Sequence, residues 1–291
     1  MSYTKKPLSE LNVMDDFMMN ALTSDPEIGV SFCRMMLGVL LQRRIGTIQV
    51  IAQKVIPAAT PDKRGIRMDV VIEETLDRRE EENTAAFRIY DIEPHIPNNI
   101  NLPKHNRFYQ AKIDGMHLKS GSRDFGSLPE LYVITLTDYD PFGYDYMMYT
   151  VESRCIEVPH LEYRDDLHYI YFYTDGTKGG SAEIKEMLRY LGDSRQENAA
   201  GESTKKIHEL VQKVKAKPET EMEYMKFDDL IEYTREEGRE EGEAFGTIRM
   251  LKKYNEPDSK ILEELVSGLK MTEKRAKELL DEYQQENMLQ N

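Results

Sequence analysis

The sequence predicts a mixed α/β fold followed by a wholly helical C-terminal region. Segments rich in β-branched residues, of the kind that form strands, alternate with segments of helical apolar spacing over the first two thirds of the chain. Their order is helix, three strands, helix and further strands, which favours one mixed sheet with helices packed against it. After Asp193 the apolar spacing is helical to the end of the chain.

The N-terminal part supplies the first helix and three strands. A Ser-Asp-Pro-Glu sequence at 24–27 is typical of a helix start with proline in the first turn, and it precedes an apolar helix over 28–41. Residues 45–55 are rich in β-branched side chains and predict a strand. Two further strands follow at 65–73 and 87–95, joined by a highly charged connection.

The remaining elements follow the same reasoning. Pro103 and Lys104 begin a helix that runs to about 118, and strands are expected at 131–137, 147–158 and 169–173, with a short helix at 183–191. The small, polar segment 196–203 predicts a linker. We therefore expect a domain over 1–195 and a helical, acidic tail over 196–291.

Bulk composition limits the class of protein. With 291 residues and 40% hydrophobic content, the chain can bury one substantial core and a smaller appendage. It has no apolar run near the length of a membrane span and no signal-peptide pattern, so we expect a cytoplasmic protein without a membrane partner. Cys33 and Cys155 are too few for a disulfide framework or a zinc site.

Two acidic residues on neighbouring strands are the first candidates for a functional site. The strand with Asp69 and the strand with Glu93 can place both carboxylates side by side, and a buried carboxylate pair is unstable unless a cation or protons neutralise it. A divalent metal such as Mg²⁺ would do so, with the main-chain carbonyl of Pro94 as a further oxygen ligand. The spacing is also compatible with Asp69 and Glu93 being ordinary strand-end residues.

Basic residues near this pair are the candidates for a nucleic-acid contact. The formal net charge of -14 argues against broad phosphate binding, but the helix from Lys104 is the most basic element of the chain. It could contact a DNA backbone or be a solvated helix face. Arg67 shares a strand face with Asp69, where it could touch phosphate or pair with Glu73 or Asp91.

Several sequence words together resemble a known group of enzymes. They occur in the order of the recombination-promoting nuclease family, whose members are often labelled putative transposases, within the PD-(D/E)XK nuclease superfamily. The resemblance covers roughly residues 12 to 192 and rests on five segments: 15–38, 64–70, 90–95, 102–110, and 132–134 leading to 138–143.

The resemblance implies a restriction-endonuclease-like sheet and a Mg²⁺-dependent DNA endonuclease, with Mn²⁺ as a substitute, linked to recombination or mobile DNA. Asp69 and Glu93 match the metal carboxylates of the family. Arg107 and Tyr109 match the arginine and tyrosine of the helix after the site, and Gln110 in the same segment is a further candidate for DNA contact.

Two positions depart from the family pattern. His95 stands where the superfamily usually has lysine and this family commonly glutamine, so it could orient water, act as a base or serve as an extra ligand. Pro94 is the second departure, because the family usually has an unremarkable strand residue at this position. The alternative function is therefore a protein that keeps the fold, has lost turnover and serves in assembly.

A glycine repeat marks the helical tail. Gly238, Gly242 and Gly246 each cost a helix roughly 1 kcal/mol relative to alanine, and their spacing of four makes a narrow stripe of small residues. Such a stripe would let two helices approach closely, which predicts a homo-oligomer. The alternative is a frayed, solvated helix.

Overall fold

The computed structural model describes residues 6–56, 66–76, 87–94, 98, 100–118 and 121–289. The chain divides into two compact units, one over residues 6–222 and one over residues 223–291. The first unit contains the sheet and the second is helical, as the sequence predicts.

Six strands form one mixed, open sheet in the order β1-β2-β3-β4-β6-β5. The β3–β4 and β4–β6 pairs are parallel, and the other three pairs are antiparallel. The strand bounds are β1 Thr47–Ile56, β2 Ile66–Thr75, β3 Phe87–Pro94, β4 Glu130–Thr137, β5 Met148–Val151 and β6 Leu167–Tyr173.

Eight α-helices lie within the described part of the chain. Their bounds are α1 Asp16–Ser24, α2 Gly29–Leu40, α3 Leu102–His117, α4 Ala182–Gly192, α5 Glu202–Lys215, α6 Pro218–Lys253, α7 Asp258–Ser267 and α8 Glu273–Leu289.

Helix α3 connects the parallel strands β3 and β4 and packs on one face of the sheet. The Asn101 side chain caps the helix by accepting a hydrogen bond from the Lys104 backbone N–H, and Pro103 lies in the first turn, where no N–H is needed. Ile113 of α3 joins a buried cluster with sheet residues, which include Val71, Ile89, Leu131 and Val133. This apolar contact fixes which side of the helix faces the strands.

The segment 196–203, predicted as a linker, is packed against the sheet-bearing unit. Asn198 and Ala199 are buried, and α5 contacts α1, α2 and α4 through an apolar face that includes Ile207 and Val211. The compact unit therefore extends to Met222 instead of ending near 195. Burial of the α5 face is a tertiary effect that local polarity does not reveal.

One predicted strand differs in extent. The strand expected over 147–158 ends at Val151, because β5 pairs along its length with β6 alone and the chain after it is exposed. Helix α6, in the region predicted to be helical, begins at Pro218, with proline in the first turn and two glutamates that favour a helix N-terminus.

The C-terminal unit has its own small core. Apolar residues of α6, α7 and α8 form one buried cluster: Ala244, Ile248, Ile261, Leu265, Ala276, Leu279 and Leu280. The three glycines of the repeat face open space, since a Cβ at each would meet no atom within 4 Å. In the part of the chain that the structure describes, none of the helices has the length and apolar character needed to cross a membrane.

Candidate metal centre

Strands β2 and β3 bring Asp69 and Glu93 together, as the sequence predicts. Their antiparallel register pairs Val70 with Ile92, so the next position along each strand sets Asp69 beside Glu93. The backbone N–H of Asp69 donates a hydrogen bond to Glu93 Oε1 at 3.2 Å. The two acidic residues are therefore neighbours across the strand pair.

The β ladder is irregular at Asp69. On the other side of β2, Ala52 pairs with Val70 and Lys54 pairs with Met68, while Gln53 between them has a φ of 50°, in the left-handed region. Asp69 lies opposite this break in the ladder, and its N–H binds the Glu93 carboxylate.

Burial and like charge raise the pKa values of this pair. Burial and the nearby charge of Asp16 raise the pKa of Asp69, Arg67 lowers it, and the net result is a pKa of about 6. The pKa of Glu93, which is 4% exposed, is also raised, first by burial and then by the charges of Asp91 and Asp69. The site therefore favours protons or a cation over free carboxylates.

Asp91 is a third carboxyl group that the sequence did not assign to the site. It is fully buried, and neither carboxyl oxygen has a hydrogen-bond partner. Burial and the charge of Asp69 raise its pKa. Its position two residues before Glu93, on the same strand face, was the available signal, but an aspartate between apolar residues does not by itself reveal complete burial.

Asp16 also contributes to the electrostatics of the site. It is the first residue of α1, and its charge raises the pKa of Asp69. The preceding residue, Asp15, occupies the cap position, and Asp16 lies close enough to Asp69 to act on its titration.

The carboxylates match a hard cation in chemistry. Mg²⁺ prefers oxygen ligands and is usually held by one or two carboxylates together with water and substrate. Within the described ranges, no group of three or more His, Cys, Asp or Glu side chains is arranged to enclose a metal ion.

The two departures from the family pattern have different outcomes. Pro94 is the last residue of β3 and lies opposite Leu136 of β4, whereas β2 pairs with β3 only as far as Ile92. The missing N–H of proline is tolerated at this strand end. His95 lies outside the described residues, as does the connection 77–86 between the two strands.

Helix α3 is held at the level of the acidic pair. Asn106 Nδ2 donates to Thr135 Oγ1 at 2.9 Å, and both residues are fully buried. Thr135 lies opposite Glu93 in the parallel β3–β4 register. The basic helix is therefore tied to the strand position next to the candidate metal ligand.

The candidate DNA residues of α3 fall into two groups. Lys104 and Arg107 are exposed. The Gln110 side chain instead donates to Asp114 and accepts from the Tyr169 hydroxyl at 3.4 Å, so it has internal partners.

Tyr109 links α3 to the strand that carries Asp69. Its hydroxyl donates to the Arg67 carbonyl at 3.2 Å, and its ring lies 4.2 Å from the His105 ring. The Arg67 side chain is exposed, and its charge lowers the pKa values of Asp69 and Glu93. Arg67 therefore lies within electrostatic range of the acidic pair.

The fold and the site define an α/β protein with a mixed open sheet and paired acidic residues where β2 and β3 meet. Comparisons with known protein families, with curated proteins and with solved structures find no match to this chain.

Proposed function

We propose that this protein is a metal-dependent DNA endonuclease that hydrolyses phosphodiester bonds. The observation that carries the proposal is the pairing of Asp69 and Glu93 across β2 and β3, with raised pKa values that favour a bound cation. Phosphodiester hydrolysis is a reaction in which such a carboxylate pair holds a catalytic cation.

Each part of the site has a role in this proposal. Asp69, Glu93 and the Pro94 carbonyl hold Mg²⁺, or Mn²⁺ as a substitute. When bound, the cation polarises the scissile phosphate and lowers the pKa of the attacking water. Arg67 stands beside the acidic pair and directs the phosphate, while His95 orients or deprotonates the water.

The exposed face of α3 approaches the DNA backbone in this proposal. Lys104 and Arg107 neutralise phosphates, which supplies affinity without sequence preference. Tyr109 and Gln110 position the helix, because their side chains bind the Arg67 carbonyl of β2 and the Tyr169 hydroxyl of β6. Since the chain as a whole carries a net charge of -14, DNA contact at the cleavage site depends on this local basic surface.

The sequence words that resemble the recombination-promoting nuclease family support the same function. They are spread over most of the length of the sheet-bearing unit and include both acidic residues. On this basis we propose a restriction-endonuclease-like fold and a role in DNA recombination or mobile elements in the cytoplasm.

Plasmid cleavage tests the proposal directly. The full chain is incubated with supercoiled plasmid and Mg²⁺ or Mn²⁺, beside Asp69→Asn and Glu93→Gln. Asp175→Asn, which changes an exposed carboxylate on the same unit, is the matched control. We expect nicking by the parent and the control and none by the two site variants. Equal nicking by all four proteins would identify a contaminating nuclease and contradict the proposal.

A second candidate is an assembly protein of the same fold without turnover. The observation that favours it is that, in the described chain, no group of three or more metal-binding side chains encloses a cation. This candidate would be supported if the parent neither nicks plasmid nor cleaves RNA with either metal, yet sediments as an oligomer. Self-association through the glycine repeat of α6 is common to both candidates and stays a prediction.

A further inference from the structure

A basic cavity lies at the other end of the strands from Asp69. It has a volume of about 860 Å³ and is bordered by the C-terminal half of α2, the turn into β1, the end of β2 and the start of α5. Glu74 at its edge is five residues along β2 from Asp69, which corresponds to about 17 Å at 3.3 Å per residue. The cavity is therefore separate from the candidate metal centre.

Three arginines line this cavity in a protein of strongly negative net charge. They are Arg34, Arg43 and Arg44, and the only carboxylate among the described lining residues is Glu74. Glu74 is already engaged, because it accepts hydrogen bonds from the Gly46 N–H and the Tyr90 hydroxyl. The charge of the cavity is therefore locally positive.

Arg43 is held rigidly at the base of this positive region. Its guanidinium carbon lies 4.7 Å from the centre of the Tyr132 ring and 5.4 Å from that of Tyr90, and Nη2 donates to the Tyr90 hydroxyl. Its Nε is buried and has no hydrogen-bond partner.

The start of α5 borders the same cavity. Ser203, the second residue of this 14-residue helix, lines it. The Gly201 N–H at this helix end already donates to the Glu186 carboxylate, so the arginines supply the positive charge of the cavity. The cavity volume is within the range of small-molecule sites and is larger than one phosphate needs.

We propose that this cavity binds a phosphorylated ligand through Arg34, Arg43 and Arg44. The planar donor sets of arginine suit phosphate oxygens. The phosphate could belong to a small molecule of nucleotide size or to a nucleic-acid backbone, and the chemistry of recognition is shared. This site is independent of the proposed nuclease activity.

Calorimetric titration of the metal-free full chain with inorganic pyrophosphate tests the proposal. Arg34→Gln and Arg44→Gln remove exposed guanidinium groups, whereas Arg43 is avoided because it packs on two rings. We expect each variant to bind pyrophosphate about tenfold more weakly than the parent, the size expected for one charged hydrogen bond. Arg123→Gln, an exposed arginine elsewhere, should bind like the parent.

A second arm uses a short single-stranded oligonucleotide in place of pyrophosphate. Competition between the two probes, with the same losses in Arg34→Gln and Arg44→Gln, assigns the phosphate to a nucleic acid. Pyrophosphate binding without competition assigns it to a small molecule. Binding of neither probe, or equal binding by all four proteins, overturns the proposal. Asp69→Asn should leave this binding unchanged, which separates it from the nuclease site.

Discussion

Thr135 joins Asn106 of α3 to the strand position opposite Glu93. Its hydroxyl accepts from Asn106 Nδ2 at 2.9 Å, and its backbone is in parallel register with Glu93. This one side chain thus relates the basic helix to the candidate metal centre, and its removal has a predictable cost.

Asn106→Ala should lower the free energy of unfolding by about 1–3 kcal/mol, because the Thr135 hydroxyl would be left buried without its partner. Urea denaturation at pH 7 measures the change. Thr135→Val should lower the free energy of unfolding less in the Asn106→Ala variant than in the parent. In that variant there is no Asn106 amide to be left unpaired. A strictly additive double-mutant cycle would show that the two residues do not interact.

Glu93→Gln should stabilise the metal-free protein at pH 8. The pKa of Asp69 is raised from 3.8 to about 6 and that of Glu93 is raised as well, so the folded state binds more protons than the unfolded state above pH 4. Stability of the parent therefore falls as pH rises from about 4 to 6 and beyond. Glutamine is uncharged in both the folded and the unfolded state, so Glu93→Gln removes the part of this loss that comes from Glu93.

Thermal melting measures this effect. The melting temperature should rise by roughly 2–4 °C for each kcal/mol of stability gained. Added Mg²⁺ should raise the melting temperature of the parent but not that of Glu93→Gln. Glu73→Gln is the matched control, because Glu73 is on β2 in an ordinary ion pair with Lys54 at 3.7 Å. A parent insensitive to Mg²⁺ at millimolar concentration would contradict the metal assignment.

Lys104→Gln and Arg107→Gln should each weaken DNA binding about equally for all sequences. Each removes one exposed cation, so the slope of log affinity against log salt should fall by about 1. Fluorescence anisotropy with duplex DNA in Ca²⁺, which avoids cleavage, measures the slope. Lys205→Gln, an exposed lysine of α5, should leave it unchanged. An unchanged slope in all three variants would place DNA elsewhere.

Glu130→Gln should destabilise the protein near pH 7 by about 1–3 kcal/mol, because the Glu130 carboxylate binds Arg88, Tyr132 and His168. These partners hold its pKa at about 2, below the ordinary 4.5, against the effect of burial. The stabilisation by the ionised Glu130 carboxylate is fully present above pH 4.5 and is lost as the pH falls through about 2. Denaturation of parent and variant at pH 7 and pH 3 should show the difference shrinking. A constant difference would contradict the charge assignment.

Replacing Gly238, Gly242 and Gly246 by alanine should strengthen α6, by up to about 1 kcal/mol for each glycine. A Cβ at each position would meet no atom within 4 Å, so no clash within the chain opposes the change. On heating, the variant should retain more helicity than the parent, as measured by circular dichroism. If α6 self-associates along the glycines, the same variant should shift toward monomer in sedimentation, whereas Lys205→Gln should not.

Local pattern was sufficient for most elements of the sheet-bearing unit. Apolar segments on either side of a highly charged connection predicted β2 and β3, and Pro103 with Lys104 predicted the start of α3. The end of β5 was not predictable, because it depends on where the hydrogen-bonded pairing between β5 and β6 ends. The burial of α5 was missed for a similar reason, since its partners are distant in sequence.

The sequence by itself determined the strands that carry Asp69 and Glu93, because strand period and turn residues are local properties. Only the tertiary structure decided that Asp91 is wholly buried without partners, that Asp16 acts on Asp69 and that three arginines surround one cavity. Burial and charge proximity depend on which elements pack together, and that packing joins residues far apart along the chain.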